Sequence, residues 1–434
     1  MKRFALLLIA VLLTGCTALG SAASVSSGSK TAPDPVQNSE TLVYFGLPGD
    51  ISTAVSRLNG TGFFDYCYHL GDYFGCLTRY DLNDMTQHIL CDREGCTHMD
   101  ETCDSYSTGW QVIAMPDAVY TVDYEYLENP TDGQTLAGTY TLVRRDADGM
   151  HPEPVASIGG WQFFGADEHY LYGFSDGTYG RVDRTNGTET LLLHAAESRY
   201  QFYGQILGVW NGQFVVVHWD KDSTHIANLS LLSTEGVETT LTQIDGISIF
   251  EDTIIPYSYA LLGDKVYYTS DDGILLCYDL SKGEHLESSN ILQACAQNGT
   301  VNMWSLHAAD DHLLVSLLFR PDGEENLYWR RFALSMPDQT LTELTLKEEF
   351  RNCTETASPE EGLVWEPELI LPLAQVDGQF LVCNAYQFFQ RSYIALDGTT
   401  AFSDSHFSIF AMIDPQDYFA SRPAYREFIP LAEN

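Results

Sequence analysis

One pattern recurs along most of the chain and limits its fold more than any other feature: a polar turn followed by a short strand rich in Tyr, Val and Leu. It stands at Asp117-Ala-Val-Tyr-Thr-Val122, Glu168-His-Tyr-Leu-Tyr172, Asn211-Gly-Gln-Phe-Val-Val-Val217, Gly263-Asp-Lys-Val-Tyr-Tyr268, Asp311-His-Leu-Leu-Val315 and Asp377-Gly-Gln-Phe-Leu-Val382. The starts are roughly 45 to 65 residues apart, the period of a blade-like repeat. A second strand follows, often ending in an apolar residue, Asp and a turn, as in Leu77-Thr-Arg-Tyr-Asp-Leu82, Val182-Asp183 and Leu276-Cys-Tyr-Asp-Leu280. Then comes a Thr- or Leu-rich strand, as in Glu189-Thr-Leu-Leu-Leu193 and Thr340 to Leu346. Asp-Gly and Asn-Gly pairs accept the positive φ of tight hairpin turns and punctuate the chain from Asn59 to Asp397.

A small twisted sheet of three or four strands has two apolar faces and cannot stand alone; stacking such sheets around an axis buries both. The expected fold is all-β, a β-propeller. The six starts, with the segment from Phe63 to Cys91, make seven blades, and the spacing also allows six or eight. A pair of β-sandwiches is the competing fold. Closure is expected to pair Thr41-Leu-Val-Tyr-Phe45 with strands of the C-terminal unit. Helical pieces are expected only near Ile51 to Arg57 and Lys347 to Phe350. The stretch Cys353 to Gly362 reads as an excursion from the propeller face.

The N-terminus carries an address. Lys2 and Arg3 precede an apolar run from Phe4 to Leu13, then Leu13-Thr-Gly-Cys16. Ten apolar residues make a helix roughly 15 Å long, half of a bilayer's hydrocarbon thickness, so the run is a signal segment rather than a span. Leu13 to Cys16 resembles the bacterial lipobox, in which the cysteine receives a diacylglycerol before cleavage. The resemblance implies a signal peptide over residues 1–15 and a lipid anchor on Cys16, which would hold the chain on the outer face of the cell membrane. Residues 16–39 are small and polar with Pro33 and Pro35. They cannot bury enough apolar surface to order themselves and serve as a tether, and residues 40–434 form the propeller domain. Ser27-Gly-Ser-Lys30 matches a penicillin-binding pattern only by accident, having no strand or helix to position it.

The net charge of −38 sets this chain against phosphate backbones, so nucleic acid is not an expected partner. No nucleophile elbow, zincin helix or phosphate loop occurs, and no catalytic residue is assigned. His69, His169, His218 and His225 are scattered through strands and turns. Asp146-Ala-Asp148-Gly149 and Asp220-Lys-Asp222 have too few ligands for a calcium loop and read as hairpin turns. The seven tryptophans (110, 161, 210, 219, 304, 329 and 365) fall about once per unit. Blade packing accounts for most of them; any at a propeller mouth would stack on a sugar or peptide.

Cysteines cluster. Leu90-Cys91-Asp-Arg-Glu-Gly-Cys96-Thr-His98-Met-Asp-Glu-Thr-Cys103 offers three thiolates and an imidazole, the donor set of a tetrahedral zinc site. The same loop, residues 91–103, also admits disulfides among Cys67, Cys76, Cys91, Cys96 and Cys103, as suits an exported protein. Cys277, Cys295 and Cys383 read as core thiols; Cys353 has no assignment.

Tyr80-Asp-Leu, the Cys91 to Cys103 run with Asp104-Ser-Tyr106, and the ending Phe410 to Tyr418 with Arg422-Pro-Ala-Tyr425 together resemble a group of Clostridia-type Firmicutes lipoproteins. These are extracellular β-propellers of the TolB-like, domain-of-unknown-function kind. The resemblance implies location and fold and brings no activity. The expected function is a membrane-anchored module that binds a peptide, glycan or partner protein, with structural zinc as its one cofactor. A cell-surface hydrolase or lyase acting on carbohydrate is the alternative; a sensor or accessory domain of a membrane complex is the third.

Overall fold

The computed structural model describes residues 42–45, 56–67, 75–96, 98, 102–109, 111–125, 138–175, 177–193, 204–219, 226–245, 247–250, 253–256, 259–270, 272–352, 367–394 and 400–431. Seven sheets, each of four antiparallel strands in sequence order, are arranged as a seven-bladed β-propeller. Blade one runs from Leu58–Asn59 to Thr86–Ile89 and blade two from Gln111–Ala114 to Glu153–Ile158. Blade three spans Gln162–Ala166 to Glu189–Leu193, and blade four Gly204–Trp210 to Glu238–Asp245. Blade five spans Tyr259–Leu262 to Glu284–His285, and blade six Gly299–Ala309 to Leu341–Leu344. Blade seven takes Pro372–Val376, Gln379–Ile394, Thr400–Ile413 and Arg426–Glu427.

Strand alternation explains the stacking. Successive side chains point to opposite faces, so Phe63 packs on blade seven with Phe410 and Leu381 while Phe64 packs on blade two with Val112 and Val119. Phe163 and Phe164 repeat the division between blades two and four. Each of seven core clusters draws on two successive blades, the last joining blade seven to blade one. A fully buried Phe contributes about 2–3 kcal/mol of transfer free energy, so each blade is held by its neighbours rather than by itself.

The turns follow the sequence pattern. Asn211 and Gly212 (φ 48° and 69°) and Asp377 and Gly378 (φ 49° and 73°) make the tight turns between first and second strands. The aspartate closing the third strand caps the next turn. Asp81 accepts from the backbone N–H of Asn83 at 2.8 Å, Asp183 from Thr185 at 2.8 Å and Asp279 from Ser281 at 3.0 Å. Asp146 to Met150 is a hairpin turn, with Gly149 N–H donating to Asp146 O at 2.8 Å; residues 220–222 lie outside the described residues.

Closure differs from expectation. Val43–Tyr44 pairs not with the C-terminal blade but with the inner edge of blade three, Val43 opposite Ala166 and Tyr44 opposite Gly165. That edge faces the propeller axis and has unpaired backbone groups, which the N-terminal strand satisfies. Leu42 and Phe45 are buried in the interfaces on either side of blade three. The ring is closed by the C-terminal tail instead. Arg426–Glu427 pairs with blade seven, and Ile429 then bridges to Thr86 of blade one. Phe428 is buried between them against Tyr80, with ring centroids 5.4 Å apart.

One further expectation needs correction. Lys347 to Phe350 is not helical: Lys347 bridges to Leu369, and Glu349–Arg351 runs parallel to residues 385–387, so its backbone groups are paired in a sheet. Of Ile51 to Arg57 only Ser56 and Arg57 are described, in a 3₁₀ turn. Helix occurs instead at Ile291–Ala296, a 3₁₀ segment, and at Pro415–Phe419, where Asp414 caps the first turn and Pro415 opens it. The excursion at 353–362 lies outside the described residues. Among the described residues no helix is long and apolar enough to cross a membrane.

Candidate metal centre

The link from blade one to blade two carries the cysteine cluster. Leu90 is buried at its root, and the chain then turns through Gly95 at φ +75° and His98 at φ +60°. No heavy atom lies within 4 Å of a Cβ built on Gly95, so the turn's backbone conformation alone asks for glycine there. Cys96 N–H donates to Arg93 O at 3.2 Å, closing the turn between the first two cysteines. The chain returns through Tyr106–Ser107, which adds to the edge of Gly75–Asp81 in blade one.

Within this fold the ligand atoms of Cys91, Cys96, His98 and Cys103 all lie within 4.8 Å of one another. His98 Nδ1 is 3.3 Å from Cys103 Sγ. Zn–S bonds of about 2.3 Å would put sulfurs roughly 3.8 Å apart, a spacing within the limits of this cluster. The four side chains could hold a metal such as zinc. Cys76, Cys91, Cys96 and Cys103 are free thiols, and Cys67 stands across from Cys76 in the strand ladder.

The thiols differ in electrostatics. Burial raises Cys103, the most enclosed ligand, to about 12, although Ser105 hydrogen-bonds it from 3.0 Å. Burial also pushes Cys91 up, but backbone N–H groups of Arg93 and Asp104 outweigh it, and its pKa falls below that of an ordinary thiol. N–H donors aimed at a cysteine sulfur stabilise the thiolate that a metal needs.

Two neighbours hold the loop; Arg145 carries no sequence signal, and Cys76 stood out only as a disulfide candidate. Cys76 is buried and donates its S–H to His98 O at 2.9 Å, pinning the backbone of the one imidazole. Arg145, from the third strand of blade two, is only 1% exposed. Its Nη1 donates to Asp104 O at 2.7 Å and Gly149 O at 3.3 Å, and Nη2 to Tyr106 O at 3.4 Å. Three thiolates around a divalent ion would leave one negative charge, and this guanidinium, which already interacts with Cys103, would offset it.

Other candidates fall apart or lie elsewhere. Asp81, Asp84 and His88 gather on blade one, but they are occupied with local turns: Thr86 N–H donates to Asp84 at 2.9 Å, and His88 lies 3.1 Å from the same carboxylate. His218 is buried against Glu238 at 2.6 Å. Cys277 and Cys295 are buried core thiols and Cys383 is half-buried. Trp161 and Trp304 are buried in blade packing, whereas Trp329 is 46% exposed beside Tyr328 at 44% and Leu327 at 43%. Leu327 ends the loop before the third strand of blade six, which Tyr328 and Trp329 open. Cys16, Cys353, His69, His225, Trp110 and Trp365 lie outside the described residues, as do the side chains of Cys67 and Trp219.

At the axis, Tyr44 and the first strands of blades four to seven enclose a cavity of about 320 Å³. Its described walls present polar and apolar surface in about equal measure, with Tyr44, Tyr259, His307 and Asp310 among the lining side chains. The Tyr44 hydroxyl donates to Ile206 O at 2.7 Å across it.

No protein-family model matches the chain, and no curated protein matches it. Among solved structures, the computationally designed protein Ika8 is similar at 14% identity over 92% of this chain and 93% of that one, with a TM-score of 0.39. A Mycobacterium tuberculosis puromycin-hydrolyzing peptidase is similar at 12% identity and a TM-score of 0.38, over 82% of this chain and 49% of that one. At these values neither likeness brings a family or an activity to this chain.

Proposed function

We propose that this chain is a surface-tethered binding module. A lipid on Cys16 anchors it outside the cell, residues 17–39 act as the leash, and the propeller presents a rigid rim of loops to a peptide, glycan or protein partner. A structural zinc on Cys91, Cys96, His98 and Cys103 braces the link between blades one and two. The observation that carries the binding reading is the exposed run Leu327, Tyr328 and Trp329 on blade six. Large apolar side chains are costly to leave in water, and Tyr and Trp recur where partners dock because each joins a wide apolar face to a polar tip. The zinc reading rests on four donors of the right type already gathered around one point.

The test is a screen of the full chain against a glycan array and a displayed-peptide library. A reproducible ligand supports the reading, and silence on both removes it.

A further inference from the structure

The axial strand determines where the preceding chain leaves the propeller. In each blade the turn joining the first and second strands lies on one rim. The loop joining the second and third lies on the other, with the link to the next blade. Val43 is opposite Ala166, the last residue of blade three's first strand, and Tyr44 is opposite Gly165. Phe45 N–H then donates to Phe164 O at 2.9 Å. The chain therefore enters from the rim of first-to-second turns and runs inward along the axis. Leu42 and Phe45, 7% and 4% exposed, hold it there.

The opposite rim holds the cysteine loop and the exposed aromatic run of blade six. The Cys91 to Cys103 segment belongs to a link between blades. Trp329 follows the loop at residues 322–327, between the second and third strands of blade six. The distal end of the long hairpin Gln379–Ile394 and Thr400–Ile413 points the same way.

We infer that the chain ahead of Leu42 leaves through the rim of first-to-second turns, at the axis, so that an anchor at Cys16 holds this rim toward the membrane and turns the Cys/His loop and Trp329 outward. The orientation rests on the tethered reading; the exit rim does not. Four strands spaced about 4.8 Å apart, with strands about 20 Å long, make the detour from axis to opposite rim on the order of 40 Å. The tether's root-mean-square reach is roughly 25–30 Å. Turning the domain over therefore stretches the leash, whereas an outward-facing link rim leaves it relaxed.

The experiment places spectroscopic labels on noncanonical residues in the full chain, which spares the native thiols. One label goes at Glu40, and the second at Asp264 on the first-to-second rim or at Glu324 on the opposite one. Pulsed electron–electron distances should be shorter for the 40–264 pair than for 40–324; equal or reversed distances overturn the exit rim. The lipidated chain is then bound to phosphatidylcholine–phosphatidylglycerol vesicles carrying a headgroup quencher. A dye at position 264 should be quenched several-fold more than one at 324, and equal quenching overturns the orientation. The expected distances in a chain that does not float with vesicles overturn the tethered reading alone and leave the exit rim supported.

Discussion

Tyr44 stands directly across from Gly165, and that glycine has no room for a side chain: a Cβ would lie 2.8 Å from Val43 O and 2.7 Å from the Phe214 ring. The close approach lets the axial strand lie flat on blade three. Gly165→Ala should lower stability by about 1–3 kcal/mol through overpacking. Deleting residues 40–46 should lower it further by removing Leu42 and Phe45 from two blade interfaces. Thermal unfolding measures both, and unchanged melting temperatures would show that the axial strand is not part of the folded domain.

Arg145 offers a test of how the cysteine loop is held. Arg145→Met leaves the carbonyls of Asp104, Gly149 and Tyr106 without their shared donor. The expected cost is about 3 kcal/mol, as for other buried charges whose partners are left behind. Arg145→Lys should recover little, because an ammonium cannot fork to three carbonyls. Equal stability of the lysine variant and the parent in denaturant titrations would contradict the role.

The proposed zinc site makes a stoichiometric prediction. Purified full-length chain should carry one zinc, and Cys96→Ser or His98→Ala should abolish it. Chelation should lower the melting temperature of the parent and leave those variants unmoved. Metal-free protein whose mass shows paired cysteines in the 91–103 loop would contradict the zinc reading in favour of disulfides.

Glu348 makes the pH dependence testable. Burial, with the neighbouring carboxylate of Glu368, raises its pKa from 4.5 to about 7 in the folded chain. The folded state therefore holds this proton more tightly than the unfolded one. Its contribution to stability is present below about pH 4.5 and is lost as the pH rises through about 7. Glu348→Gln should match the parent at pH 5 and exceed it at pH 8, by about 1 kcal/mol once solvent screening is allowed for. Parallel stability–pH curves for the two proteins would refute the assignment.

The blades were legible because their cause is local. Apolar alternation, Asn211-Gly212 and Asp377-Gly378 turns, and capping aspartates such as Asp183 each act within a few residues. The gathering of Cys91, Cys96, His98 and Cys103 was legible for the same reason, being compressed between positions 91 and 103. Arg145 was not, since a long-range approach to a loop leaves no periodicity or motif, and Cys76 was visible only as a disulfide candidate rather than as a thiol donating to His98 O. Closure was misread because Thr41 to Phe45 has the composition of any strand, and its partner is chosen by an open backbone edge far along the chain, at Gly165 and Ala166. Trp329 differs from Trp161 only in what the fold lays over it. The Asp-Pro pair at 414–415 did carry a helix-start signal, hidden among turn residues of the same type.

Binding at Trp329 bears most directly on the proposed function. The affinity of the first ligand from the glycan or peptide screen should be measured by titration calorimetry for the parent and for Trp329→Ala. At 46% exposure the substitution should leave the melting temperature within about a degree of the parent's. Loss of a stacked indole should weaken binding at least tenfold, about 1.4 kcal/mol. Equal affinities for the two proteins would contradict the claim that this rim of the propeller is the binding surface.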